Sequence, residues 1–304
     1  LTSPTAPSPA SGKQPSGNEL TGAYTGRFAP SPTGPLHFGS LVCALGSYLD
    51  AIAHGGHWLV RMEDLDPPRE MPGAAERILK SIRAHGMHSH SPVAWQSHRH
   101  PLYQQALEQL REQDLVYPCS CTREQVRKAG GHQRDNCVGE QGDYALRFHC
   151  AGATEHFSDI WQGEQTQAIH EDPILKRKDG LYAYQLAVVV DDIAQGINCV
   201  VRGADLLDCT GIQRQLFRAL GAEPPQFGHL PLVMNTGGQK LSKQNHAAAL
   251  DDHMASGNLV TALGFLGMQT PPGLAAESPA QILSWACAHW QRKAVDCRNR
   301  LLDQ

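Results

Sequence analysis

Apolar residues along this chain fall into short runs bounded by turn formers and longer stretches with helical spacing. Residues 23–29 form a short run ahead of three closely spaced prolines, and residues 40–53 form an apolar stretch long enough for a buried helix. His57–Met62 (HWLVRM) reads as a second strand, which ends in Glu63, Asp64 and Asp66 before the Pro67-Pro68 pair halts any regular element. Helical spacing marks residues 71–86 and 101–113. At Cys119 the pattern breaks, and small, polar and cysteine residues continue to about Cys150, as expected of an insertion. Strand character returns over residues 181–207, with two apolar runs split by a Gln195-Gly196 turn, and a helix is expected over 210–220. Residues 251–304 are helical in flavour with a break at 270–273, whereas residues 1–22, rich in Ser, Pro, Thr and Gly, read as a disordered tail. Strands alternating with helices predict an α/β fold around a parallel sheet, with ligands beyond the carboxyl ends of the strands.

Composition narrows the setting. At 304 residues and 41% hydrophobic content the chain can bury one substantial core and a smaller unit. No run of eighteen apolar residues and no secretory pattern occurs, so a cytoplasmic protein is expected. Nine cysteines, an odd number, suit a reducing compartment better than a disulfide framework. The formal charge of -4 carries no global basic signature, so a nucleic-acid partner would need a local patch.

Chemistry concentrates in RFAPSPTGPLHFGS, residues 27–40. Pro30, Pro32 and Pro35 stiffen the turn, Gly34 and Gly39 permit close approach, and a helix start behind them favours a phosphate, with His37 as a side-chain donor. By itself this could be a proline-rich connection with a surface histidine. Residues 238–244 (GQKLSKQ) add Lys240 and Lys243 in a glycine-led loop that could stabilise growing charge on a triphosphate.

Taken together, RFAPSPTGPLHFGS and KLSKQ resemble the two signatures of class I aminoacyl-tRNA synthetases in their glutamate-specific form, and RMEDLDPPR, WQSHR, YQLAVVVDD and VRGADLL match the same family. The resemblance spans residues 24–248. It implies a Rossmann-like catalytic core in two halves, 23–118 and 181–250, an inserted zinc-type, acceptor-binding-like subdomain at 119–180, and a short helical C-terminal region at 251–304. It further implies adenylation of an amino acid by ATP, with Mg2+ accompanying the nucleotide and no covalent enzyme intermediate. His37, Lys240 and Lys243 become the catalytic candidates, and His37, Gly39, Ser40 and Lys243 the ATP-binding ones. L-Glutamate would be held by Arg27, Phe28, Ala29, Pro30, Ser31, Glu63, Tyr184 and Arg202: the arginines and Tyr184 for the side-chain carboxylate, Glu63 for the ammonium group.

Only about sixty residues follow the KLSKQ segment, where glutamyl-tRNA synthetases carry a long helical anticodon-reading region. This brevity, with KLSKQNHA and AVVVDDIAQG, is similar to shorter paralogues that activate glutamate without tRNA. Those attach it to the queuosine base of tRNA(Asp), so the expected partners are the queuosine-bearing anticodon stem-loop, L-glutamate and ATP, with no membrane and a monomeric enzyme. A shortened synthetase charging the 3′ end of tRNA and a catalytically silent RNA-binding paralogue remain as alternatives.

Cys119, Cys121 and Cys137 offer three thiolates for one structural zinc. By the family pattern the fourth ligand is a tyrosine at the place of Gln133, a poor zinc ligand; the neighbouring His132 or the more distant Cys150 could replace it. The remaining cysteines read as small core residues, and His85, His88, His90, His98 and His100 as solvated side chains.

Overall fold

A computed structural model of the chain describes residues 22–235, 248–298 and 300–301. The expected tail, save Gly22, and the segment with Lys240 and Lys243 lie outside these residues. Strand β1 (Thr25–Phe28) leads through the proline-rich turn into helix α1 (Phe38–Ala53) and parallel strand β2 (His57–Met62). Gly34 sits in that turn at φ 152°, where a side chain would be strained. Helix α2 (Ala74–Ala84), strand β3 (Ala94–Trp95) and helix α3 (His100–Glu112) follow, with β3 parallel to β2.

Next comes β4 (Val116–Cys119), short helix α4 (Arg123–Lys128), β5 (Ala145–Phe148), the hairpin β6 (Thr154–Asp159) and β7 (Gly163–Ala168), and β8 (Ile174–Lys176). Strands β4, β5 and β8 form an antiparallel sheet, separate from the parallel one. The run at 184–194, expected as strand, is helix α5 (Tyr184–Ala194). It misleads because every residue from Leu186 to Asp192 is buried, which erases the polar face that would reveal a helical period. Strand β9 (Cys199–Gly203), helix α6 (Thr210–Ala219) and strand β10 (Gln226–Leu230) then repeat the strand–helix–strand unit. After β11 (Val233–Met234) come α7 (Ala255–Phe265), α8 (Pro279–His289) and the two-residue strand β12 (Arg300–Leu301), which pairs with β11.

The parallel strands lie in the order β3-β2-β1-β9-β10, with β9 beside β1 where the amide of Asn198 donates to the Thr25 carbonyl at 3.1 Å. One apolar core joins α1, α7 and α8 to the sheet and another joins α3, α5 and α6 to it. The two halves are therefore wound in opposite directions from the β1/β9 seam, and a crevice opens at the carboxyl ends of these strands. Buried Asp50 of α1 secures the C-terminal region: it accepts hydrogen bonds from Tyr24 (2.9 Å), Trp290 (3.0 Å) and both Nε and Nη2 of Arg292 (2.8 Å each).

Candidate active site

A cavity of about 670 Å³ occupies that crevice. Arg27 and Phe28 from β1, Ala29, Pro30 and Ser31 from the turn, and His37, Gly39 and Ser40 around the start of α1 line one side. Glu63 beyond β2, Tyr184 at the start of α5 and Arg202 on β9 also line it. The structure thus brings eleven of the thirteen sequence candidates for glutamate, ATP and catalysis to one cavity; the other two, Lys240 and Lys243, lie outside the described residues. The described flanks of that segment border the same place, since Val233 lines the cavity and Ala249 bridges to His37.

The arginines are held differently. Arg27 donates from Nε and Nη2 to the two oxygens of Asp192, at 3.2 and 3.3 Å. Buried Arg61 adds a 2.7 Å bond to Asp192 and lies 3.7 Å from Glu63, while Asp191 takes Arg99, Gln96 and Tyr103. Arg202, also buried, makes no carboxylate pair among the described residues: its acceptors there are His229 Nε2 (3.0 Å), Gln213 Oε1 (2.7 Å), Thr210 Oγ1 (2.9 Å), the Leu206 carbonyl (3.2 Å), the Tyr184 hydroxyl (3.4 Å) and Cys209 Sγ (3.9 Å). A buried cation served by neutral acceptors is primed for an anionic ligand. Across the cavity, burial pushes the Glu63 carboxyl up to about 7, against the pull of Arg61 and Arg27. An ammonium group would draw it back to the ionised form.

His37 is the N-cap of α1, and its Nδ1 accepts the Ser40 amide at 3.2 Å. One amide that the sequence left for a phosphate is thus taken by the histidine, whose Nε2 then carries the ring proton that can be donated.

Away from the cavity, Cys119, Cys121, Cys137 and His132 converge, with all four ligand atoms within 4.8 Å of one another. His132 Nε2 lies 3.0 Å from Cys119 Sγ, and Cys121 Sγ is 3.9 Å from Cys137 Sγ, the spacing of sulfurs about a tetrahedral zinc. Gln133 points elsewhere, to the His170 carbonyl, and Cys150 is not in the cluster. The surroundings suit a metal-binding imidazole. Tyr117 donates its hydroxyl hydrogen to Asp172 Oδ2 (2.8 Å) and can therefore accept from His132 Nδ1 (3.2 Å), which frees Nε2 for the metal. The amides of Val138 and Gly139 and Arg147 Nε point at the sulfurs of Cys121, Cys137 and Cys119.

Sequence reading gave no role to Arg61, Asp191 and Asp192, to Tyr117 and Asp172, or to Asp159 and His229. Only the Asp191-Asp192 pair leaves a local signal, two acids closing an apolar run; the rest depend on partners remote in the chain.

The family described as tRNA synthetases class I (E and Q), catalytic domain, matches residues 24–142 and 131–271. The chain belongs to that family, a class of ligase-type enzymes. Within it the chain groups with proteins named glutamyl-Q tRNA(Asp) synthetase. The Vibrio cholerae relative is 47% identical over 275 residues, 88% of this chain and 90% of its own length. That of Dechloromonas aromatica is 45% identical over 298 residues, 93% and 99% of the two chains. A glutamate tRNA ligase from Elizabethkingia meningosepticum, crystallised with its amino acid, shares the fold at a TM-score of 0.79 and 23% identity, over 93% of this chain and 67% of that one. Among the described residues no helix is long and apolar enough to cross a membrane.

Proposed function

We propose that the chain forms glutamyl-adenylate from L-glutamate and ATP without tRNA, and passes the glutamyl group to a hydroxyl of the queuosine base at position 34 of tRNA(Asp). One observation carries the glutamate reading: a single cavity sets a buried arginine whose acceptors among the described residues are all neutral, Arg202, against a largely enclosed carboxyl raised to about 7, Glu63. Arg202, with Arg27 and Tyr184, receives the side-chain carboxylate, and Glu63 the α-ammonium. An amide side chain would leave the Arg202 charge unmatched, which rejects glutamine. The names of the relatives support the acceptor.

In the first step a carboxylate oxygen of glutamate attacks the α-phosphorus as the bond to pyrophosphate breaks; in the second the base hydroxyl attacks the acyl carbon and AMP leaves. His37 donates from Nε2 to phosphate oxygens, Gly39 and Ser40 border the nucleotide, and Lys240 and Lys243 add positive charge to the leaving pyrophosphate. Mg2+ travels with ATP. Cys119, Cys121, Cys137 and His132 would hold one Zn2+, which supplies a structural cross-link.

Glutamate-dependent pyrophosphate exchange without tRNA, followed by transfer to tRNA(Asp) with and without queuosine, tests both halves. Exchange alone, with transfer only to the queuosine form, is expected. Label on the 3′-terminal nuclease fragment would instead indicate a shortened glutamyl-tRNA synthetase, and an absence of exchange a silent paralogue or activation that depends on tRNA.

A further inference from the structure

The hairpin β6–β7 reaches back to the parallel sheet: the amide of Ile160 donates to the Phe227 carbonyl at 2.9 Å, and Gln162 Nε2 donates to the His229 carbonyl at 2.9 Å. This brings Asp159, the last residue of β6, against His229 of β10 beneath the cavity. Asp159 Oδ2 is 2.6 Å from His229 Nδ1, and Oδ1 accepts the amides of His229 (3.1 Å), Trp161 (3.1 Å) and Gln162 (3.0 Å). On the opposite side of the imidazole, Nε2 faces Arg202 Nε at 3.0 Å and Thr210 Oγ1 at 3.3 Å. Phe227 stacks along His229 with ring planes 10° apart and lies 5.1 Å under the Arg202 guanidinium. Both His229 and Asp159 are buried.

The geometry points to a positioning relay: Asp159 holds His229 in its Nδ1–H tautomer, and the free Nε2 orients Arg202 toward a ligand carboxylate without neutralising it. This rests on the glutamate-activating reading above. A guanidinium Nε–H can bond only to a nitrogen that carries no proton, so Nε2 is the acceptor and Nδ1 the donor to Asp159. A carboxylate in the place of His229 would orient Arg202 equally well but would pair with its charge, as Asp192 pairs with Arg27. A neutral acceptor gives direction alone and leaves the Arg202 charge for a ligand carboxylate to pair with.

The charged groups facing His229 are Asp159 from β6, Arg202 from β9 and Asp205 from the turn after β9. Burial lowers the His229 pKa, Asp159 opposes this, and Arg202 adds to it, which agrees with a neutral ring.

The relay is tested in the full chain with His229→Leu and His229→Gln. In pyrophosphate exchange, His229→Leu should raise the KM for L-glutamate about 10- to 100-fold while kcat and the KM for ATP stay within about threefold. His229→Gln, whose amide offers an NH2 group that donates and a carbonyl oxygen that accepts, should return the glutamate KM to within about fivefold of the parent. Equal losses in both KM values, or leucine and glutamine variants that behave alike, would overturn the relay. If the leucine variant does not fold, the parent protein still decides. Two-bond 15N–1H spectra of histidine-labelled protein, with the His229→Gln variant to assign the signal, should show protonated Nδ1 and bare Nε2. A proton on Nε2 would sink the relay whatever the activity. A parent protein without glutamate-dependent exchange but with the Nδ1–H tautomer would sink the glutamate reading and the carboxylate assigned to Arg202, while leaving the Asp159–His229–Arg202 arrangement in place.

Discussion

The cavity wall and the cysteine cluster both gather polar groups out of water, but by different means. In the cavity, Arg27 and Asp192 are 165 residues apart in sequence and meet because β1 lies in the sheet against which α5 packs. In the cluster, all four ligand groups come from residues 119–137, and the helix between them, α4, buries none of its residues. The cavity is thus a product of the whole fold. The cluster has little apolar burial of its own, and a metal would be its main local restraint. Damage to the first should therefore appear as lost chemistry, and damage to the second as lost local structure.

The largest effect is expected at Arg202. Arg202→Leu should remove about 2 to 5 kcal/mol of glutamate binding, at least about thirtyfold in the glutamate KM, with ATP binding little changed. Exchange kinetics with each substrate varied in turn would show this, and a parallel loss of ATP affinity would blur the line between recognition and architecture.

Cys121→Ser sharpens the other side. Metal analysis should fall from about one zinc per chain to none, and limited proteolysis should open residues 119–150, while tRNA-independent exchange stays within about threefold. None of the four ligands lines the cavity, so a collapse of exchange would mean that the two regions are one unit. A milder probe is Tyr117→Phe, which keeps the ring but removes the hydroxyl between His132 and Asp172. Zinc affinity, measured by competition with a chelator, should weaken about tenfold or more.

This contrast also explains what could be read in the chain. Cys119, Cys121 and Cys137 are close enough in sequence to suggest a cluster, yet spacing left the fourth ligand open among His132, Gln133 and Cys150; the structure brings His132 to the three sulfurs and leaves Gln133 and Cys150 out. Strand β1, helix α1 and strand β2 were legible because each lies between strong breakers. Helix α5 was not, because Val188, Val189 and Val190 suit a strand and burial on all sides hides the period. The cavity candidates came from resemblance to a family, whereas His229 and Asp159, which hold Arg202, become visible only when remote segments are brought together.

The smallest expected effect concerns pH and separates the cavity's two charges. Glu63 has a folded pKa of about 7, above its ordinary 4.5, because burial disfavours the carboxylate. In the ligand-free protein its contribution to stability is therefore fully present below 4.5 and is lost as pH rises through about 7. Glutamate binding runs the other way, since only the ionised carboxylate pairs with an ammonium group. Between pH 6.5 and 7.5 the ionised fraction rises about threefold, and the KM for L-glutamate should fall by a similar factor. Glu63→Gln should bind glutamate more weakly and lose this slope, because no proton remains to be displaced. A slope that survives in Glu63→Gln would assign the titration to another group and leave Glu63 without its part in ammonium recognition.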